Sequence, residues 1–282
     1  MNRSENRRRA LLPVLAAVLL CAAVCGFLCF RGISPADPPL RGKTVLLAGD
    51  SRSSTDYSFY RDLLQQKSGG TVLNLGASGK TAAYNASDAY FAVLRDNPHD
   101  FSIWLVGGND DGRAGSVGTF SESSALFQQG EPLVEETDIT ADYGGKTFIQ
   151  AVDHIMRKYK TLFYDFRTSE SGRIPRMIFC TDLPQQRENG GTEWSRTENW
   201  ERKRLAILEC CEKNGVACLD LYRLCAFDMR FEPFYTEPTD FAHNRGVYYM
   251  DGLHPNQYGM DLITTLEVEE MKNYLLSLSP AS

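Results

Sequence analysis

Two short segments far apart in the chain carry the residue types of a nucleophilic hydrolase. Gly49-Asp50-Ser51 places a serine directly after a strand-like run, and Asp251-Gly252-Leu253-His254-Pro255-Asn256 places a histidine three positions after an aspartate. A serine hydroxyl becomes an effective nucleophile when a neighbouring base takes its proton, and an imidazole serves as that base when a carboxylate holds its tautomer and orientation. Either segment alone is a common loop sequence. Together they define a candidate nucleophile, Ser51, a candidate base, His254, and a candidate orienter, Asp251, provided that the fold brings them to one place.

The elements that would do so are legible as apolar runs. Thr44 to Ala48, Thr71 to Leu75, Phe101 to Val106, Arg176 to Cys180 and Val216 to Asp220 read as strands, the first of them continuously apolar as in a strand buried on both faces. Between them, Phe148, Val152, Ile155, Met156, Tyr159, Leu162 and Phe163 recur at helical spacing, as do Trp200, Ile207, Leu208 and Cys211, and the stretch from Asn256 towards Leu275. Strands alternating with helices predict right-handed crossovers and a parallel sheet covered on both faces. In such sheets ligands bind outside the carboxyl ends of the strands. Ser51 follows the first strand, Gly76 to Gly79 the second, Gly107 to Asp110 the third, and Asp251 and His254 the fifth, so all four segments can meet at one edge. Residues 111–146 and 227–250 interrupt this rhythm, and loops of that length inside a domain are usually lids or binding elements.

With those four segments in hand, the chain resembles the SGNH hydrolases of the GDSL esterase family. The blocks stand in family order: Gly49-Asp50-Ser51, Asn74-Leu75-Gly76-Ala77-Ser78-Gly79, Gly107-Gly108-Asn109-Asp110 and Asp251-Gly252-Leu253-His254-Pro255. The resemblance covers residues 43–282. It implies a three-layer α/β/α, flavodoxin-like fold with a five-stranded parallel sheet, and a serine esterase working without metal or organic cofactor. It further implies that Ser51 attacks the ester, His254 moves the proton and Asp251 orients the imidazole. The oxyanion would be held by the backbone N–H of Ser51, the backbone N–H of Gly79 and the side-chain amide of Asn109. Elementary chemistry agrees: glycine lets a backbone donor come close, and an amide donates to a developing negative charge without losing a proton.

Plainer readings stand beside these. Gly79 could be a turn glycine and Asn109 a capping residue, Asp110 reads as a cap, and Asp50 reads as a brace for the turn. His99, His154 and His243 have no motif around them and read as structural or surface residues. Gly76-Ala77-Ser78-Gly79-Lys80-Thr81 imitates the end of a phosphate-binding loop, but the full pattern needs glycine where the chain has Asn74, and Lys80 reads as a loop residue beside the site.

The N-terminus reads separately. Arg3, Arg7, Arg8 and Arg9 form a basic tail over residues 1–9, and residues 10–30 are uncharged and apolar. At about 1.5 Å per residue that run covers roughly the 30 Å of a bilayer's hydrocarbon core. It is expected to be a transmembrane signal anchor with its N-terminus in the cytoplasm, because basic residues gather on the cytoplasmic flank. A cleaved signal peptide, giving a secreted protein, is the rival reading. Residues 31–42, with Pro35, Pro38 and Pro39, read as a stiff linker.

The net charge is −6, and the first nine residues hold four arginines against Glu5, so the remainder carries −9. An acidic domain is a poor match for nucleic acid. Cys180, Cys210, Cys211, Cys218 and Cys225 follow no metal-binding spacing and are expected to be buried thiols.

The expected protein is therefore a membrane-anchored extracytoplasmic esterase of O-acyl, first of all O-acetyl, esters. The stretches Lys146 to Phe148, Thr181-Asp182-Leu183-Pro184 and Val216 to Tyr222 resemble those of carbohydrate-deacetylating members, which points to a glycan ester. The alternatives are a lysophospholipase or short-chain lipid esterase, an O-acyltransferase sharing the acyl-enzyme, and a glycan-binding module that keeps the fold without catalysis.

Overall fold

In the computed structural model, β1 (Thr44–Gly49), β2 (Thr71–Asn74), β3 (Phe101–Leu105), β4 (Arg176–Cys180) and β5 (Ala217–Leu219) form one sheet. All the pairings are parallel, in the order β2-β1-β3-β4-β5. The strands coincide with the expected runs to within a residue or two at their ends. The described residues are 38–110, 117–118, 147–165, 175–183, 198–225 and 254–278. The expected tail and membrane span at 1–30, most of the loop 111–146 and all of 227–250 lie outside them. No helix among the described residues is long and apolar enough to cross a membrane.

Side-chain alternation along each strand feeds two cores. Leu46, Ala48, Trp104, Met177 and Phe179 face one layer, built from α2 (Ala82–Asn85), α3 (Asp88–Arg95), α4 (Phe148–Lys160) and α5 (Glu198–Asn214). Val45, Leu47, Ile103, Leu105 and Ile178 face the other, built from α1 (Ser58–Ser68), α6 (Leu221–Leu224) and α7 (Gln257–Ser277). Each apolar side chain removed from water here contributes about 1.5–3 kcal/mol, which is why a continuous apolar strand must be covered on both faces. The three-layer α/β/α expectation therefore describes the molecule. The helical periodicity holds as well: Phe148, Val152, Ile155, Met156 and Tyr159 are all buried on α4. Gln150 closes the start of α4 by accepting from the Thr147 N–H at 2.8 Å.

Three features bear on the site. The compact unit runs Leu40–Ser282, and Leu40 itself is fully buried, its N–H donating to the Ser68 carbonyl at 2.9 Å. The order β2-β1-β3 makes the end of β1 a switch point, where successive crossovers leave in opposite directions and open a crevice. Asn256 caps α7, its side-chain oxygen accepting from Tyr258 N at 2.9 Å and Gly259 N at 3.0 Å, and thereby fixes the helix start three residues after His254.

His99, His154 and the described cysteines behave as structural residues. His99 lies between the Asn97 carbonyl at 2.8 Å and the Tyr159 hydroxyl at 2.7 Å, burial lowers its pKa, and His154 is buried on α4. His243 falls outside the described residues. The five cysteines among the described residues are free thiols, four of them buried.

On the other face of the sheet, the Tyr60 hydroxyl of α1 donates to Glu267 of α7 at 2.5 Å, with both residues fully buried. Burial pushes the Glu267 carboxyl from its ordinary 4.5 up to about 8. A group with a raised folded-state pKa keeps its proton when the unfolded chain has lost it, so its contribution to stability is complete at low pH and is lost as pH rises towards 8. Glu267→Gln is expected to remove that dependence: urea midpoints should show the wild type losing ground to the variant as pH rises from about 5 to about 8.

Candidate active site

The end of β1 is set by a glycine. Gly49 has φ 125°, and a Cβ there would lie 1.9 Å from the Leu105 carbonyl oxygen, so no other residue allows β1 and β3 to close at this point. The Gly49 N–H donates to the Tyr90 hydroxyl, which donates in turn to the Leu75 carbonyl, each at 3.0 Å, tying the ends of β1 and β2. Beyond Gly49 the chain turns into a 3-10 helix, Ser51–Ser53, capped by Asp50, whose Oδ1 accepts from Arg52 N at 3.1 Å. Asp50 is thus the brace expected of it. Ser51 stands at the start of this turn with its Oγ 2.9 Å from Nε2 of His254. Tyr57 lies parallel to the imidazole of His254, with ring centroids 4.6 Å apart and an interplanar angle of 19°. Asp251 lies outside the described residues.

Two further loops close on the same point. The Ala77 N–H donates to the Gly49 carbonyl at 2.8 Å and the Gly76 N–H to the Ser53 carbonyl at 3.1 Å, which lays the second block against the Ser51–Ser53 turn. Gly79, at φ 74°, turns the chain so that the Lys80 carbonyl accepts from Nδ2 of Asn109 at 3.0 Å. An amide nitrogen carries two hydrogens, so this bond fixes the plane of the Asn109 amide and leaves a second N–H to donate. The N–H groups of Ser51 and Gly79 meet no acceptor among the described residues. Asp110 caps the start of α2, both carboxylate oxygens lying 3.3 Å from Ala82 N. Asn74 is occupied with the Ser54 carbonyl at 2.9 Å, and Lys80 lies over the Tyr84 ring at 4.9 Å.

Beneath these loops is a buried ion cluster that sequence reasoning did not find. The guanidinium of Arg52 pairs with Asp50 through Nη2 at 2.5 Å and with Asp182 through Nη1, and all three side chains are no more than 2% exposed. Lys203 of α5, fully buried, donates to the Gly107 carbonyl at 2.7 Å and lies 3.9 Å from Asp182. Asp50 also accepts from Gly108 N at 3.1 Å, and a Cβ on Gly108 would lie 3.0 Å from Arg52 Nη2. The Gly107–Asp110 loop therefore rests directly on the ions. Burial opposes the charge on Arg52, yet Asp182 and Asp50 together hold its pKa well above the ordinary value. Burial raises Asp110 to about 7, against the opposing pull of Lys203 and the Ala82 N–H. Three carboxyls facing two cations leave one excess negative charge, and Asp110 is a group able to take the balancing proton. Two signals were present in the sequence. Arg52 follows the nucleophile into a buried turn, and Lys203 interrupts the apolar stripe that contains Trp200 and Ile207.

A serine at a strand end, 2.9 Å from an imidazole nitrogen and flanked by two glycine-containing loops, fits a hydrolase of the α/β/α type. The chain belongs to the GDSL-like Lipase/Acylhydrolase family, whose model matches residues 46–262, and it is accordingly a carboxylic ester hydrolase. Among solved structures it is similar in fold to a possible lipase from Chitinophaga pinensis, at 16% identity, TM-score 0.56, covering 84% of this chain and 100% of that one. A protein from Lactobacillus plantarum aligns at 23% identity and TM-score 0.52, covering 84% and 98%. A carbohydrate acetylesterase family member from Sinorhizobium meliloti aligns at 14% identity and TM-score 0.51, covering 84% and 100%. No curated protein matches the chain significantly.

The ion cluster predicts a large effect at a residue with no part in bond making. Arg52→Met leaves Asp50 and Asp182 buried without their shared cation, and breaking such a pair costs about 3–5 kcal/mol. Urea unfolding should show a loss of that size, with esterase activity falling alongside it.

Proposed function

We propose that this protein is an extracytoplasmic serine esterase that removes O-acyl groups, O-acetyl first among them, from carbohydrate. The observation that carries the reading is the 2.9 Å contact between Ser51 Oγ and His254 Nε2, which joins residues 203 positions apart in the sequence. As Ser51 Oγ bonds to the ester carbonyl carbon, its proton passes to His254 Nε2. The carbonyl oxygen becomes an oxyanion facing the N–H groups of Ser51 and Gly79 and the second N–H of Asn109. Collapse of the intermediate breaks the bond to the alcohol, whose oxygen takes the proton back from His254. Water then repeats the sequence on the acyl-enzyme, releasing the carboxylic acid. Asp251 holds the imidazole in the tautomer that can accept at Nε2.

Two finer parts of the proposal rest on sequence. The glycan substrate follows from the likeness of Lys146 to Phe148, Thr181 to Pro184 and Val216 to Tyr222 to carbohydrate-deacetylating members. The location follows from the apolar run at residues 10–30 behind its arginine-rich tail, which supports a single-pass anchor with the domain outside.

The full chain should hydrolyse p-nitrophenyl acetate, Ser51→Ala should lower turnover by about 10⁴-fold or more, and Asn109→Ala should lower it by about 10²–10³. Turnover that survives in Ser51→Ala overturns the assignment of the nucleophile. Turnover that grows with acyl length favours a lipid ester in place of a sugar acetate, and acyl product on an added sugar acceptor would identify a transferase.

A further inference from the structure

The nucleophile turn carries a second residue that reaches the base. After Ser51–Ser53 the chain forms another 3-10 turn, Thr55–Tyr57, directly ahead of α1. Its hydrogen bonds lead back to the nucleophile: Ser54 Oγ and Ser54 N donate to the Ser51 carbonyl at 2.9 and 3.1 Å, and Tyr57 N donates to the Ser54 carbonyl at 3.1 Å. The Tyr57 ring also makes an edge contact with Phe59, at 5.9 Å and 73°, and Phe59 packs against the core between α1 and α7. Tyr57 thus has a fixed place, with its ring stacked on the imidazole of His254 at 4.6 Å and 19°.

We propose that Tyr57 is a positioning residue for the reaction, a backing plate that sets the plane of the His254 ring and presents an aromatic face to the charge that ring gains in the transition state. The inference rests on His254 being the base. Two physical effects act through the one contact. A parallel neighbour blocks rotation of the imidazole out of the plane in which Nε2 meets Ser51 Oγ, and misalignment at that distance weakens the hydrogen bond steeply. An aromatic face also carries negative quadrupole density, so it interacts better with the imidazolium, formed when the Ser51 proton arrives, than with neutral imidazole. The second effect is stronger in the transition state than in the resting enzyme, so it acts on kcat rather than on substrate binding.

The experiment uses the full chain with p-nitrophenyl acetate and compares wild type, Tyr57→Phe, Tyr57→Leu, His254→Ala, and phenylalanines at position 57 carrying increasing numbers of ring fluorines. Tyr57→Leu should lower kcat about five- to tenfold with KM within about twofold. Tyr57→Phe should stay within about twofold of wild type, because the ring face and not the hydroxyl makes the contact. Fluorination keeps the ring's shape while draining its face of negative charge, so kcat should fall stepwise with fluorine number. If Tyr57→Leu fails to fold, the fluorinated series alone decides. A kcat indifferent to fluorination, or a Phe variant as impaired as the Leu one, overturns the proposal. Turnover that persists in His254→Ala removes the base on which the inference rests, and is distinguishable because it requires no change at position 57.

Discussion

Arg52 held between Asp50 and Asp182 is the constraint on which the site depends. Burying ions is costly, and a cluster of this kind persists only where every charge finds partners in fixed geometry. Here the partners are the structure of the site itself. Asp50 caps the Ser51–Ser53 turn and accepts from Gly108 N, Asp182 follows β4, and Lys203 reaches from α5 to the Gly107 carbonyl. One guanidinium therefore fixes the ends of β1, β3 and β4 relative to one another. The Asn109 amide has a fixed place because the two residues before it are pinned from below. A hydrophobic cluster of the same volume would fill the space, but it could not specify the direction of the Gly107 carbonyl or the Gly108 N–H.

Above the ions, the loops are extensions of the sheet's own hydrogen bonding. The pattern of β1 continues past the strand through Asp50 N to the Leu105 carbonyl, Leu75 N to the Leu47 carbonyl and Ala77 N to the Gly49 carbonyl. The loops after β2 and β3 are thus indexed to Ser51 by backbone register, which slips only if the sheet does. Side chains add the final aim: Asn109 on the Lys80 carbonyl, and Tyr57 on the His254 ring. A preorganised electrostatic site of this kind stabilises developing charge without rearranging when the charge appears.

The fold and the blocks of the site were largely legible because they obey local rules. Continuous apolar runs marked strands buried on both faces, the spacing of Phe148, Val152, Ile155 and Tyr159 marked α4, and short polar and glycine blocks at strand ends marked the loops. The ion cluster escaped because its members, Arg52, Asp182 and Lys203, are far apart in sequence, and no local pattern tells which carboxylate meets which cation. Tyr57 escaped for the same reason, since nothing in its neighbourhood refers to a histidine some two hundred positions later.

The sequence by itself determined the class of reaction and the set of elements, because hydrophobic period, turn glycines and residue chemistry are written in neighbouring positions. Only the tertiary structure decided which charges are buried, that Asn109 is oriented by the Lys80 carbonyl, and that the His254 ring beside Ser51 is stacked on Tyr57. Those facts depend on which strand ends and helix faces are brought together. Pairings of that kind arise from packing two cores around one sheet, and no local pattern carries them.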